Sequence, residues 1–201
     1  MPPAELAALL AYTTAMAFTP GPNTTLSTAM AANHGLRHAM RFVFAVPFGW
    51  CLLLVASAAG LGTLVTTLPA LAAAIRIAGA AYMLWLAWRL AQRVAPGAAA
   101  TARGTLDVGF ARGVALQFVN AKAWLNALTI AATWIAVEGE VGTRLAWVLP
   151  IAALYGFASN FTYAAVGAAL RRWLAHGDRL LWFNRTMAAV LAVTALWMLW
   201  A

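Results

Sequence analysis

Side chains able to hold a small charged molecule occur in three places, each inside an otherwise apolar run. The first is "AMAFTPGPNTTLSTAM", residues 15–30, where Pro20, Gly21 and Pro22 interrupt a helical pattern and Asn23, Thr24, Thr25 and Ser27 follow. Each proline removes a backbone donor and collides with the carbonyl four residues earlier, costing roughly 3 kcal/mol in an ordinary helix. Carbonyls freed by such a break must find partners inside the protein or a wet cavity, because lipid offers none. Beyond the break a new helix starts near Asn23, and its exposed N–H groups suit a carboxylate. Thr13, Pro20, Thr24 and Ser27 recur at about helical spacing and form one polar face. The plainer alternative is a kink that only helps helices pack.

The second place is Lys122, in "LQFVNAKAWL". A lysine near the centre of a membrane helix costs about 2.5–3.5 kcal/mol on insertion scales and faces a partner or a cavity. Lys122, Asn126, Thr129 and Thr133 fall on one helical face, with Gln117 and Asn120 a turn earlier. A purely structural lysine bonded to the carbonyls freed by the first break is the alternative, and it too puts Lys122 beside Pro-Gly-Pro. The third place is "LYGFASNFTY", with Tyr155, Ser159 and Thr162 on one face and Asn160 and Tyr163 adjacent. Taken singly these are ordinary interhelical hydrogen bonders. Tyr82 and Trp85 read as lipid-facing or packing residues.

No catalytic constellation accompanies them. The acids Glu5, Asp107, Glu138, Glu140 and Asp178 fall at segment ends or in loops, and no Walker loop or metal-ligand cluster is present. The expectation is therefore a protein that is not an enzyme, with no cofactor, no metal and no nucleotide-driven step. Cys51 alone cannot form an internal disulfide or a CxxC pair. If transport is coupled to protons, Lys122 is the candidate titrating group inside the membrane.

The elements that must position these residues are membrane helices. Of the 201 residues 64% are hydrophobic and 9% charged, with a mean hydropathy of +0.81; soluble domains carry about 25% charged residues. The net charge of +8 sits in short loops between apolar segments, which speaks against a nucleic-acid partner and for contact with a lipid bilayer. Six segments are long enough to span, at about 4–32, 42–66, 69–92, 109–137, 145–170 and 180–200. They form one membrane domain over residues 1–201, with a loop at 93–109 joining two halves of three helices. The expected fold is thus an all-α integral membrane protein of six transmembrane helices, the first broken at Pro-Gly-Pro.

Placing both termini outside puts Arg37, Arg41, Arg89, Arg93, Arg103, Arg112, Arg171, Arg172, Arg179 and Arg185 in cytoplasmic loops, against only Arg76 and Arg144 outside. Trp88, Trp173 and Trp182 would mark the inner interface, and Trp134, Trp147, Trp197 and Trp200 the outer one. Halves of three helices have opposite topology, and "FTPGPN" is faintly echoed by "FVNAKA". That is the form of a 3+3 inverted repeat with broken helices meeting at the midplane.

"FTPGPN" followed by "NHGLRHAMRFVFAVPFG", with "GAAYMLWLAWRLA" at 79–91 and "LQFVNAKAWL" at 116–125, resembles the lysine/threonine exporter superfamily. The likeness covers essentially the whole chain and is closest to the cysteine/O-acetylserine exporter branch. Ala39 and Ala45 stand where glycine is usual, and Ala121 where proline is common, so the sequence leaves open whether the fourth helix is broken. The resemblance implies a bacterial inner-membrane, multi-pass, proton-driven exporter of amino acids or derivatives, working as a small oligomer such as a homodimer. Cysteine or O-acetylserine, or neutral amino acids such as homoserine and threonine, are the substrates it implies. Pro20, Gly21, Pro22 and Asn23 match its first motif, and Asn120 and Lys122 its second. The expected site binds substrate through Pro20, Gly21, Pro22, Asn23, Thr24, Asn120, Lys122, Asn126, Tyr155, Ser159, Asn160 and Tyr163. The carboxylate would meet Lys122 and the helix start after Pro22, and the fifth helix would hold the other end. A passive channel, a membrane subunit of a larger complex and a membrane redox carrier are the competing classes.

Overall fold

The computed structural model describes residues 1–92, 108–136 and 139–200, the side chain of Trp200 excepted. Most of the expected 93–109 loop, with Arg93, Arg103 and Asp107, lies outside the described residues, as does Glu138. Among the described residues every regular element is a helix. The chain runs through α1 (Pro3–Phe18), α2 (Pro22–His34), α3 (Leu36–Ala56), α4 (Gly62–Thr67) and α5 (Pro69–Ala91). After the connection come α6 (Phe110–Val119), α7 (Ala121–Ile130), α8 (Val141–Leu174) and α9 (Arg179–Trp200).

Four apolar stretches are long enough to cross a bilayer: Leu36–Thr67, Pro69–Ala91, Val141–Leu174 and Arg179–Leu199. The first of these joins α3 to α4 through a π-helical turn at Ser57–Leu61. The two remaining apolar segments are built as pairs of shorter helices. At about 1.5 Å per residue, α6 extends about 15 Å and α7, continued by a π-helical turn at Ala131–Ile135, about 22 Å, against a hydrocarbon core about 30 Å thick.

Packing follows the polarity of each helix, inverted from the soluble pattern. The segment Thr24–Ala32 of α2 is buried throughout, although it carries Thr24, Thr25, Ser27 and Thr28. It packs against α8, α3 and α9, and α8 also packs on α3. α5 lies along α9, and α6 along α3. Where the solvent is lipid, apolar side chains gain nothing by hiding, so polar and small residues take the interior. Gly167 of α8 shows the closeness: a Cβ there would stand 2.2 Å from the Thr28 carbonyl oxygen. Reciprocal amide pairs tie α2 at both ends, Asn23 to Gln117 of α6 and Asn33 to Asn184 of α9. Gly35, at φ +89°, makes the sharp turn from α2 into α3.

Some sequence expectations need correction. Arg37 and Arg41 lie in the first turns of α3 rather than in a loop, because α3 begins at Leu36. Arg171 and Arg172 close α8 and Arg179 opens α9. Trp88, Trp147, Trp173, Trp182 and Trp197 are all more than half exposed, as interfacial anchors require. Trp134 is not an anchor: it is only 7% exposed and packs in the core with its ring centroid 5.4 Å from that of Tyr12.

Candidate functional site: a cavity between two broken helices

α1 stops at Phe18 and α2 starts at Pro22, so the carbonyls of the last α1 turn lose their intrahelical donors. Pro22 has no N–H to offer Phe18, and the Gly21 N–H turns instead to Thr24 Oγ1 at 2.9 Å. Three consecutive carbonyls are taken up by side chains from other helices. Ser159 Oγ donates to Ala17 O at 2.5 Å, Tyr163 Oη to Phe18 O at 2.9 Å, and Lys122 Nζ to Thr19 O at 2.7 Å. The lysine stem lies directly over Gly21, where a Cβ would stand 3.2 Å from Lys122 Cδ and 3.3 Å from its Nζ.

A second interruption faces the first. α6 ends at Val119, Asn120 is extended, and its Oδ1 accepts the Lys122 backbone N–H at 3.1 Å to cap α7. Trp124 Nε1 donates to the Phe118 carbonyl at 2.8 Å. The question left open at Ala121 is thereby answered for this chain: an asparagine cap interrupts the helix without a proline. Asn23 and Gln117 exchange hydrogen bonds of 2.8 and 3.2 Å, linking the two interruptions.

Between them lies a cavity of about 90 Å³. A water needs roughly 10–15 Å³ by this kind of measure, so the space suits a few waters or a small polar solute. The start of α2 lines it with Gly21, Pro22, Asn23 and Thr24. Asn120, Lys122 and Asn126 line it from the start of α7, and Tyr155, Ser159 and Asn160 from α8. Lys122 is the only charged residue on this wall among the described residues. Ser27 Oγ donates to Asn160 Oδ1 at 3.0 Å behind the wall, fixing the amide. Thr13 also lines the cavity, and its buried hydroxyl has no protein partner.

Two expected site residues stand aside. Pro20 is exposed, and Tyr163 braces Phe18 rather than lining the cavity. The polar stripe through Thr129 and Thr133 also leaves the site, both being exposed, as does Thr162. Thr129 and Thr162 satisfy their hydroxyls on their own helices, at Leu125 O and Ala158 O. Sequence reasoning missed Tyr12, Met16 and Trp50, which complete the wall. Tyr12 Oη donates to Asn126 Oδ1 at 3.2 Å. An aromatic residue or methionine in an apolar run carries no signal separating a cavity wall from ordinary packing.

Fold and cavity together define a multi-pass membrane protein with a small chamber whose largely apolar wall carries one lysine and a few hydroxyl and amide side chains. The chain belongs to the LysE type translocator family, whose model matches residues 14–201. It is similar to the cysteine/O-acetylserine efflux protein of Salmonella typhimurium, 33% identical over 198 residues and 97% of each chain. The protein of the same name from Klebsiella pneumoniae is 32% identical over 197 residues, 96% of this chain and 97% of its own. That of Escherichia coli K12 is 30% identical over 198 residues, 97% of each. No solved structure matches the chain at a significant level.

Proposed function

We propose that the protein exports small neutral amino acids or their derivatives, with cysteine and O-acetylserine the first candidates, across the bacterial inner membrane. The observation that carries this reading is the polarity of the cavity. The starts of α2 and α7 and the ammonium of Lys122 present positive character on one side. The carbonyl end of α1 presents negative character next to it, at Ala17 and at Thr19, whose oxygen accepts from Lys122 Nζ at 2.7 Å. A zwitterionic amino acid matches both: carboxylate to Lys122 and the helix starts, ammonium to the carbonyls. Absence of a carboxylate from the described wall disfavours a cationic substrate, and the small volume favours a short side chain. The efflux function carried in the names of the relatives agrees.

On this reading α1 with α2, and α6 with α7, each make one broken span, giving six spans as a 3+3 inverted repeat with both termini outside. The substrate carboxylate draws Lys122 Nζ away from Thr19 O, and the substrate ammonium takes the vacated carbonyl. The end of α1 thereby exchanges a protein donor for a substrate donor, which couples occupancy to the seat of α1. The proton gradient drives export, with Lys122 as the titrating group. The test is efflux from proteoliposomes holding the purified protein, over a panel of amino acids, with and without a pH gradient. Saturable, gradient-stimulated efflux of cysteine or O-acetylserine is expected. Flux that neither saturates nor shows counterflow would point to a channel and overturn the reading.

A further inference from the structure

Several polar side chains on the cavity wall are already held by the protein. Thr24 Oγ1 is spent on Gly21, accepting its N–H at 2.9 Å and donating to its carbonyl at 3.0 Å. Asn160 is spent on Ser27 and on the Gly156 carbonyl, and Ser159 on the Ala17 carbonyl. Asn23, a wall residue in the first turn of α2, is held at both ends of its amide by a residue that does not line the cavity, Gln117 of α6.

Chemistry settles the orientation of this pair. Gln117 Nε2 donates to the Gly113 carbonyl at 3.0 Å, an oxygen that can only accept. The same Nε2 therefore faces Asn23 Oδ1, at 3.2 Å, and Gln117 Oε1 accepts from Asn23 Nδ2 at 2.8 Å. Gln117 is fully buried. A Cβ on Gly49 of α3 would stand 2.9 Å from Gln117 Cγ, so α3 presses on the glutamine stem and leaves it little room to swing. This fixed amide stands in the last turn of α6, three residues before the Asn120 cap that opens α7. It thus ties the start of α2 to the chain that leads into the start of α7.

Two helix starts act together on one anion only while their relative placement is held. We infer that Gln117 is a positioning residue for the carboxylate end of the site, and that Asn23 acts through Gln117 rather than as a substrate ligand. The inference rests on the reading of the cavity as a carboxylate site. It takes out of the ligand set a residue that the family resemblance puts there, and brings in one that lies behind the wall.

Competition against radiolabelled cysteine, bound to the purified full-length protein, tests both halves. Unlabelled cysteine and cysteinamide serve as competitors, since they differ at the carboxylate. The wild type should favour cysteine. Gln117→Met, of similar shape but without the amide, should weaken cysteine about tenfold, the lower end of what one charge-assisted hydrogen bond supplies, and leave cysteinamide within about twofold. A folded Gln117→Met protein that keeps the wild-type preference would overturn the inference alone. Equal weakening of both competitors would also overturn it, assigning Gln117 to packing. A wild type that binds both competitors equally would instead fail the carboxylate reading itself, and the inference with it. Asn23→Leu completes a double-mutant cycle. Combined with Gln117→Met it should lose no more cysteine affinity than either change alone, because the two amides serve one contact. Losses that multiply would make Asn23 a ligand in its own right and overturn its assignment. The double variant leaves neither amide unpaired, so it carries the same competition test where Gln117→Met alone does not fold.

Discussion

Thr13 is the side chain whose surroundings say most about its use. Its hydroxyl is buried, 5% exposed, on the cavity wall and has no partner in the protein. A hydroxyl with no protein partner on a cavity wall is available to whatever the cavity holds, water or ligand. Thr13→Val should therefore leave the melting temperature unchanged or slightly higher. It should weaken substrate binding by about 0.5–1.5 kcal/mol, roughly two- to twelvefold in Kd. Scintillation-proximity binding beside a thermal melt would check both halves, and unchanged affinity would remove Thr13 from the site. The exposed threonines teach the converse. Thr129 and Thr162 share a polar helical spacing with Lys122 and Tyr155, yet each bonds the carbonyl four residues back and turns away from the cavity. A hydroxyl can satisfy itself on its own helix and a lysine cannot. A lysine in an apolar run is thus a better marker of a cavity than a hydroxyl is.

Among the elements, α2 holds the centre and α1 the edge. α2 reaches α8 so closely that Gly167 faces the Thr28 carbonyl with no room for a methyl group. Gly167→Ala must push the two helices apart, and overpacking of this kind costs about 1–3 kcal/mol. A clear drop in melting temperature is expected, and a melt matching wild type would contradict the packing. α1 buries only Leu9 and Thr13 among its own residues. It is held mainly by polar contacts: the three carbonyl bonds at its end, and at its start the Glu5–Arg144 pair, which Glu140 shares. Polar seats of this kind release more readily than interlocked side chains, as the proposed exchange at the end of α1 requires. Glu5→Arg should widen the distribution of spin-label distances between α1 and α8, and adding Arg144→Glu should narrow it again. A distribution unaffected by either change would show that the pair does not seat α1.

For the whole molecule, the all-helical membrane architecture was legible in hydropathy, because a helix crossing lipid must be long and apolar. α1 ends at Phe18 and α2 begins at Pro22, beside the prolines that suggested a break, while their making one broken span belongs to the proposed topology. The interruption at Asn120 was not legible: an asparagine followed by Ala-Lys-Ala reads equally well as a continuing helix, and only its Oδ1 accepting the Lys122 N–H reveals the cap. The true start of α3 was hidden too, since Arg37 and Arg41 resemble loop residues until Gly35 is seen to turn the chain. Meeting of the three polar segments at one cavity could be expected from shared depth, but its aromatic wall of Tyr12 and Trp50 could not. The expected orientation has its own check. In a Cys51→Ser background, single cysteines at Ala4 and at Asp178 should react with a membrane-impermeant maleimide from opposite sides of the membrane, Ala4 from outside. Labelling of both from one side would reject the six-span topology.

The central claim is that Lys122 receives the substrate carboxylate between the two helix starts. Its most direct test is counterflow of radiolabelled O-acetylserine or cysteine in proteoliposomes containing Lys122→Met, with the variant's fold verified by its thermal melt. Loss of a charge-assisted hydrogen bond worth about 1.5–3 kcal/mol predicts roughly ten- to hundredfold weaker binding, and counterflow reduced to background. Counterflow at the wild-type rate and half-saturation from a folded Lys122→Met protein would contradict the account.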